Sequence, residues 1–229
     1  MDRAEAEKRI LRRGWLAAQT PALQSAILRK ARLMSCPAGD FLFHAGDRPG
    51  GIYGVVQGGV GVHIPSFTGE VPLTHVLRSG TWFGYGPHFS GKPRTMTFSL
   101  LEPTDLYHVP LATLEDIQRS RPEHTRAIFT MSDFAVAVAV AVIGTLQIRE
   151  PDRRIAATIL RVAPPVEDLH PDAPVEVILT QTQLGELANA GRQQVNRSLN
   201  RMEERGWLTA SYGRIVLTDP EGLRAWLLD

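Results

Sequence analysis

Residues 180–208 read TQTQLGELANAGRQQVNRSLNRMEERGWL. Thr180 is a residue type that caps helix N-termini, and Leu184, Leu187 and Ala188 give a first short helix its apolar stripe. Asn189, Ala190 and Gly191 then interrupt the pattern, and asparagine tolerates the left-handed backbone that a tight inter-helix turn requires. A second helix is expected to start near Arg192. Its Val195, Leu199 and Met202 fall at i, i+4 and i+7 and share one face. Gln193, Asn196, Arg197, Asn200 and Glu204 line the opposite face, with Arg192 and Arg201 on the flanks.

A helix that anchors itself by an apolar stripe and turns amide and guanidinium groups outward suits duplex DNA. Arginine forms bidentate hydrogen bonds to guanine, asparagine and glutamine to adenine, and a helix fits the major groove. Thr182 and Gln183, in the first turn of the first helix, join Arg192, Gln193, Asn196, Arg197, Asn200 and Arg201 as candidate DNA-contacting residues. After Gly206, WLTAS, Tyr212-Gly213-Arg214 and IVLT read as strand, turn and strand, a wing beside the helix pair. For Arg214 at its tip two readings stand, a phosphate contact and a simply exposed arginine.

Charge locates this surface only locally. The whole chain of 229 residues carries a formal net charge of +1. From Leu179 onward, Arg192, Arg197, Arg201, Arg205, Arg214 and Arg224 are balanced by Glu186, Glu203, Glu204, Asp219, Glu221 and Asp229. Between Leu187 and Met202, however, there are arginines and no acid. Phosphate neutralisation falls to that patch and to helix N-termini.

Upstream, the texture differs. Residues 4–33 place Ile10, Leu11, Trp15 and Leu16, then Leu23, Ile27, Leu28 and Ala31, on either side of Thr20-Pro21, which predicts two amphipathic helices. Pro37 to Pro110 is a run of short β-rich segments cut by glycine and proline, the signature of a sandwich or barrel. Leu111 to about Ala163 reads as helical. Its FAVAVAVAVIG run, Phe134–Gly144, alternates, but alanine and valine are both apolar, so the alternation exposes no polar face and helix is the expectation. Such a helix belongs in a symmetric subunit interface or, alternatively, in an internal core. Pro164 to Ile178 holds prolines and acids and reads as a loop or strand entry.

Composition bounds the rest. A hydrophobic fraction of 43% and a charged fraction of 21% fit folded domains, two by length. The single cysteine, Cys36, excludes an internal disulfide and a thiolate cluster, and a reducing, cytoplasmic setting is expected. The basic N-terminal segment lacks a signal-peptide core, and Phe134–Gly144 is shorter than the about 20 residues that span a bilayer, so no membrane association is expected.

The stretch LTQTQLGELANAGRQQVNRSLNRMEERGWLTASYGRIVLTD, residues 179–219, resembles the C-terminal domain of the cyclic-AMP receptor protein and fumarate-nitrate reductase regulator family. PAGDFLFHAGD (37–47), Tyr53–Val62 and GTWFG (80–84) resemble that family's effector-binding β-roll, and REPDRRIAATILRVA resembles its segment leading into the DNA-binding domain. The resemblance covers nearly the whole chain. It implies an α+β chain: a cyclic-nucleotide-binding-like β-roll (jelly roll) with flanking helices over 1–110, a long dimerisation helix over 111–148, and a winged helix-turn-helix over 149–229. It also implies that Arg192, Gln193 and Arg197 contact bases, with Gln193 where a glutamate is common and Gly191 where a serine is usual. The implied partners are double-stranded DNA with a palindromic operator, a second copy of the chain, and RNA polymerase for an activator.

By the same resemblance, Gly84, Tyr85, Arg94 and Thr95 are the candidate effector-binding residues. Arg94 and the backbone after Gly84 suit an anion. Tyr85 replaces the acid that accepts a ribose hydroxyl in cyclic-nucleotide-binding members, which weakens cyclic nucleotide as the effector; a structural ion pair is the other reading of Arg94. No cofactor is expected with certainty. His44, His63, His75, His88 and His108 show no short ligand spacing. The competing reading is a cupin-like, metal-dependent β-roll enzyme with an accessory helical domain. It requires histidines and a carboxylate converging on one metal.

Overall fold

The computed structural model describes residues 1–169 and 173–228. The chain divides into two compact units, Met1–Pro65 with Leu77–Val138, and Ser66–Val76 with Ala139–Asp229.

The first unit opens with α1 (Arg3–Ile10), α2 (Gly14–Ala17) and α3 (Pro21–Lys30), three helices where the apolar spacing predicts two. The break follows from Gly14, which takes φ +82°; a β-carbon there would stand 2.0 Å from the carbonyl oxygen of Gly80, so the chain must turn at a glycine to let that backbone approach. Thr20 caps α3 by accepting from Leu23 N–H, and Pro21 occupies its first turn, where no backbone donor is missed.

Two four-stranded antiparallel sheets follow. One has the order β1 (Arg32–Cys36), β8 (Thr104–Pro110), β3 (Gly51–Gln57), β6 (Trp82–Phe83); the other β2 (Phe41–Phe43), β7 (Thr97–Leu100), β4 (Val60–His63), β5 (Leu73–Leu77). Val55, Leu106 and Phe83 from the first sheet meet Phe43, Val60, Phe98 and Leu100 from the second in one apolar core. The Phe43 and Phe83 rings both pack on Phe98, with centroids 4.7 Å and 4.8 Å away. Burying aromatic rings of this size supplies much of the driving force, roughly 1.5–3 kcal/mol for each fully buried large apolar side chain. A second cluster seats Ile10, Leu16, Leu23 and Ile27 of the helices on Ile52, Val56 and Tyr107 of the sheet. A short helix, α4 (Gly86–Ser90), follows β6.

The segment read as one long dimerisation helix is three: α5 (Leu111–Ser120), α6 (Pro122–Phe129) and α7 (Met131–Leu146). Arg121 is extended (φ −155°, ψ 128°) because the proline after it disfavours the helical region. The Ala/Val run lies wholly inside α7 and is helical. Of α7, Met131 alone is buried; Phe134, Val136, Val140, Ile143 and Leu146 are exposed. The internal-core alternative therefore does not hold. By length and composition alone, the 25 residues Pro122–Leu146, which span α6 and α7, are apolar enough to cross a membrane. They include Glu123, Arg126 and Asp133, charges that are costly in hydrocarbon.

The second unit contains α8 (Pro151–Val162), β9 (Val175–Val177), α9 (Gln181–Ala188), α10 (Arg192–Glu204), β10 (Leu208–Ser211), β11 (Arg214–Leu217) and α11 (Pro220–Leu228). Within the proline-rich segment, Val166–Asp168 is one turn of 3-10 helix and β9 is the expected strand entry; residues 170–172 lie outside the described residues. β9, β11 and β10 form an antiparallel sheet with β11 central. Ile155, Ile159, Leu184, Leu187, Val195, Leu199, Met202 and Ile215 are buried and make its core.

Candidate nucleic-acid interface

The interface is set by the geometry of α9 and α10. Thr180 starts α9 with a reciprocal cap: its hydroxyl oxygen accepts from Gln183 N–H at 3.2 Å, and Gln183 Oε1 accepts from Thr180 N–H at 2.8 Å. Gln183 is thus partly committed to the cap, while Thr182 beside it is exposed. Asn189 ends the helix with φ 47° and ψ 58°, the one positive φ outside glycine among the described residues. Ala190 N–H then donates back to Gly185 O at 2.9 Å. Gly191 opens α10 from an extended conformation, φ −68° and ψ 153°, so its φ does not demand glycine.

On α10 the two expected faces are present. Val195, Leu199 and Met202 are buried, and Arg192, Gln193, Asn196, Arg197, Asn200 and Arg201 are exposed. Two members of the set carry partners within the protein. Arg197 Nη2 donates to Gln194 Oε1 at 3.0 Å, and Arg201 Nη1 donates to Asp152 Oδ2 at 2.5 Å. Ser198, fully buried on the packed face, and Asp152, in the first turn of α8, escaped the sequence reading because nothing in their spacing marks them as partners.

Arg154 was also missed. Its guanidinium spans three carbonyls, Ala188 at 2.7 Å, Ile148 at 2.8 Å and Asn189 at 3.3 Å. Two of these lie at the C-terminal end of α9, where unpaired carbonyls and the helix dipole favour a cation. Arg154 therefore pins the turn that sets the angle between α9 and α10.

The wing is a two-residue hairpin. Leu208 pairs with Leu217 and Ser211 with Arg214, and the turn is Tyr212 and Gly213, the latter at φ +71°. Tyr212 projects fully into solvent. Arg214 neither floats free nor points solely outward: its Nη2 pairs with Glu176 Oε2 of β9 at 2.9 Å.

In the β-roll, Arg94 is buried, at 4% exposure, although Thr95 beside it is exposed. Its guanidinium carbon lies 3.5 Å over the Phe43 ring centroid, Nη2 donates to Gly51 O at 3.2 Å and Nη1 to Gly84 O at 3.5 Å. Burial pushes its pKa down, opposed by the nearby Tyr53 and Asp47. No carboxylate forms an ion pair with it among the described residues, so the ion-pair reading of Arg94 is replaced by carbonyl bonds and a ring stack. Gly84 has φ +87°, and a β-carbon there would meet Arg94 Nη1 at 3.1 Å. Tyr85 is half-buried, and burial, with the charge of Asp133, pushes its phenol pKa up. A cyclic nucleotide needs the arginine's donors turned to its phosphate and an acceptor for its ribose hydroxyl. Here the donors of Arg94 face the carbonyls of Gly51 and Gly84.

A β-roll followed by a winged helix-turn-helix defines a DNA-binding regulator of transcription. The chain matches the cyclic nucleotide-binding domain over residues 33–121 and the Crp-like helix-turn-helix domain over residues 153–226. It is a member of the cyclic-AMP receptor protein and fumarate-nitrate reductase regulator family. The cAMP-activated global transcriptional regulator CRP of Pasteurella multocida is 21% identical over 203 residues, covering 86% of this chain and 97% of the relative. A CRP-like cAMP-activated global transcriptional regulator of Mycobacterium tuberculosis is 21% identical over 215 residues, covering 93% and 96%. Among solved structures, FixK2 from Bradyrhizobium japonicum superposes with a TM-score of 0.71 at 18% identity, covering 85% of this chain and 96% of that one. A CRP/FNR-family transcriptional regulator from Thermus thermophilus does so with a TM-score of 0.66 at 22% identity, covering 86% and 99%.

Proposed function

We propose that this protein is a homodimeric, sequence-specific regulator that places α10 in the major groove of a palindromic operator. The observation that carries the reading is the two-faced α10, with Val195, Leu199 and Met202 buried and Arg192, Gln193, Asn196, Arg197 and Asn200 turned to solvent. Arg192, Gln193 and Arg197 read base edges in this scheme, and Thr182 and Gln183 at the start of α9 meet the phosphate backbone, where the helix N-terminus favours anions. Arg201 lies at the flank with its charge paired to Asp152.

The exposed apolar face of α7 supports self-association. Val136, Val140 and Ile143 are each about three-fifths exposed at 61%, 62% and 58%, a patch that soluble single chains rarely leave open. An isologous contact along α7 covers it in both copies at once. Two recognition helices then have to reach successive major grooves about 34 Å apart, so a small change in their relative placement decides affinity. The β-roll is the proposed point at which a signal acts on that placement, with RNA polymerase as the further partner of an activator. The cytoplasm is the setting in which such a chain meets DNA.

Among the described residues no three of His, Cys, Asp and Glu are grouped so as to hold a metal. The test is fluorescence anisotropy on an operator selected from a random duplex pool. Arg197→Ala is expected to weaken that operator by at least about 30-fold, because both half-sites of the dimer lose a bidentate base contact of about 1–3 kcal/mol. Equal binding by variant and parent at every salt concentration overturns the assignment.

A further inference from the structure

Asp152, at 8% exposure, gathers three side chains of α10. Its Oδ1 accepts from Gln194 Nε2 at 3.0 Å and from the Ser198 hydroxyl, and its Oδ2 accepts from Arg201 Nη1 at 2.5 Å. Ser198 Oγ in turn accepts from Gln194 Nε2 at 3.1 Å. The far side of the Gln194 amide, Oε1, accepts from Arg197 Nη2 at 3.0 Å.

The chemistry leaves Gln194 one orientation. A carboxylate only accepts and a guanidinium only donates, so an amide held between them must give its NH2 to Asp152 and its carbonyl to Arg197. The flipped amide would set a carbonyl against a carboxylate and an NH2 against a cation. Charge-assisted bonds of this kind are stronger than neutral ones, and the carboxylate's burial shields them from competing water. An exposed arginine otherwise samples many rotamers, and fixing them on binding costs affinity.

We infer that Asp152 is a positioning residue for base readout: acting through Gln194, it holds the guanidinium of Arg197 at one place on the outward face of α10, and it draws Arg201 into its own ion pair. The inference rests on the reading of α10 as the DNA-contacting helix. Asp152 touches no base in this scheme. Its effect is on how sharply Arg197 distinguishes one base pair from another.

The experiment compares the parent, Asp152→Asn, Arg197→Ala and the double variant, each as the full chain, on two duplexes. One is the selected operator; the other carries a substitution at the base pair whose discrimination Arg197→Ala abolishes. Asp152→Asn is expected to lower the operator-to-substituted affinity ratio about tenfold and to lower it no further in the Arg197→Ala background. A tie that serves stability alone would weaken both duplexes alike, keep the ratio, and add to Arg197→Ala; that result overturns the inference and leaves the DNA-binding reading intact. Should Asp152→Asn not fold, Gln194→Met breaks the same link while Asp152 keeps Ser198 and Arg201, and an undiminished ratio there also overturns it. A parent chain that discriminates between no duplexes overturns the reading of α10 and the inference with it.

Discussion

A β-carbon placed on Gly185 would stand 2.6 Å from the carbonyl oxygen of Ala190, inside the distance at which backbone has to move. Gly185 lies in the last turns of α9, and Ala190 N–H donates to its carbonyl, so the two residues close the turn that sets α10 against α9. Gly185→Ala is therefore expected to cost about 1–3 kcal/mol, the usual range for overpacking. Urea denaturation of the full chain measures it, and operator affinity should fall in step. Asn189→Gly at the neighbouring left-handed position should change stability by only a few tenths of a kcal/mol, whereas a β-branched residue there should be far worse.

Val140 occupies the open side of α7. Val140→Glu should leave helix content unchanged by circular dichroism, because the side chain is already largely in water in the single chain. In a symmetric contact it would bring two carboxylates into an apolar seam, and dimer affinity should fall at least about 100-fold on the cost of burying an unpaired charge. Sedimentation velocity at micromolar protein reads the outcome. A variant that remains fully dimeric removes α7 from the interface.

Asp152 makes stability depend on acid. Burial pushes its carboxyl pKa up, but the hydrogen bonds from Ser198, Arg201 and Gln194 outweigh burial and hold it below the ordinary value. A folded pKa below the unfolded one means the stabilisation is complete above the unfolded value of about 3.9 and is lost as pH falls through the folded one. The stability gap between the parent and Asp152→Asn should thus be constant near neutrality and narrow below about pH 4, as followed by urea denaturation across pH. A gap that widens in acid contradicts this account.

Arg94 is treated by the structure as a core residue. Arg94→Met keeps most of the volume but leaves the carbonyls of Gly51 and Gly84 without that donor, so a loss of about 1–3 kcal/mol is expected. For the same reason cyclic AMP at about 1 mM should shift Tm by less than about 1 °C, since a ligand at 100 times its Kd would contribute about 2.7 kcal/mol and be plainly visible. Differential scanning fluorimetry checks both. A large cyclic-AMP shift would show that Arg94 gives up its carbonyl partners to a phosphate.

The helix pair, its asparagine turn, the wing and the two faces of α10 were legible in the residues alone, because each follows from local rules: the period of Val195, Leu199 and Met202, the cap at Thr180, the left-handed tolerance of Asn189 and the Gly213 hairpin. The helical state of the Ala/Val run was legible for a similar reason, since no polar face argued for a strand. The extra break near Gly14 was not, because its cause is the backbone of Gly80, some sixty-six positions on, approaching too closely for any side chain. The dimerisation segment was read as continuous across Arg121, although Pro122 supplied the local signal for a break.

Periodicity, capping chemistry and turn preferences act over a few residues, and so the chain itself decided that α10 forms and which groups it shows to water. Which of those groups are free was decided only by folding. Asp152 lies 42 positions before Gln194, and no local pattern states that its carboxylate will sit beneath α10, occupy Arg201 and orient the amide that holds Arg197. Likewise, the sequence left Arg94 both an anion-ligand and a structural reading, and its contact with the Phe43 ring arose only once the two sheets closed. A donor's partner is whichever acceptor the packed chain brings within about 3 Å, and that is a property of three-dimensional closure rather than of order along the backbone.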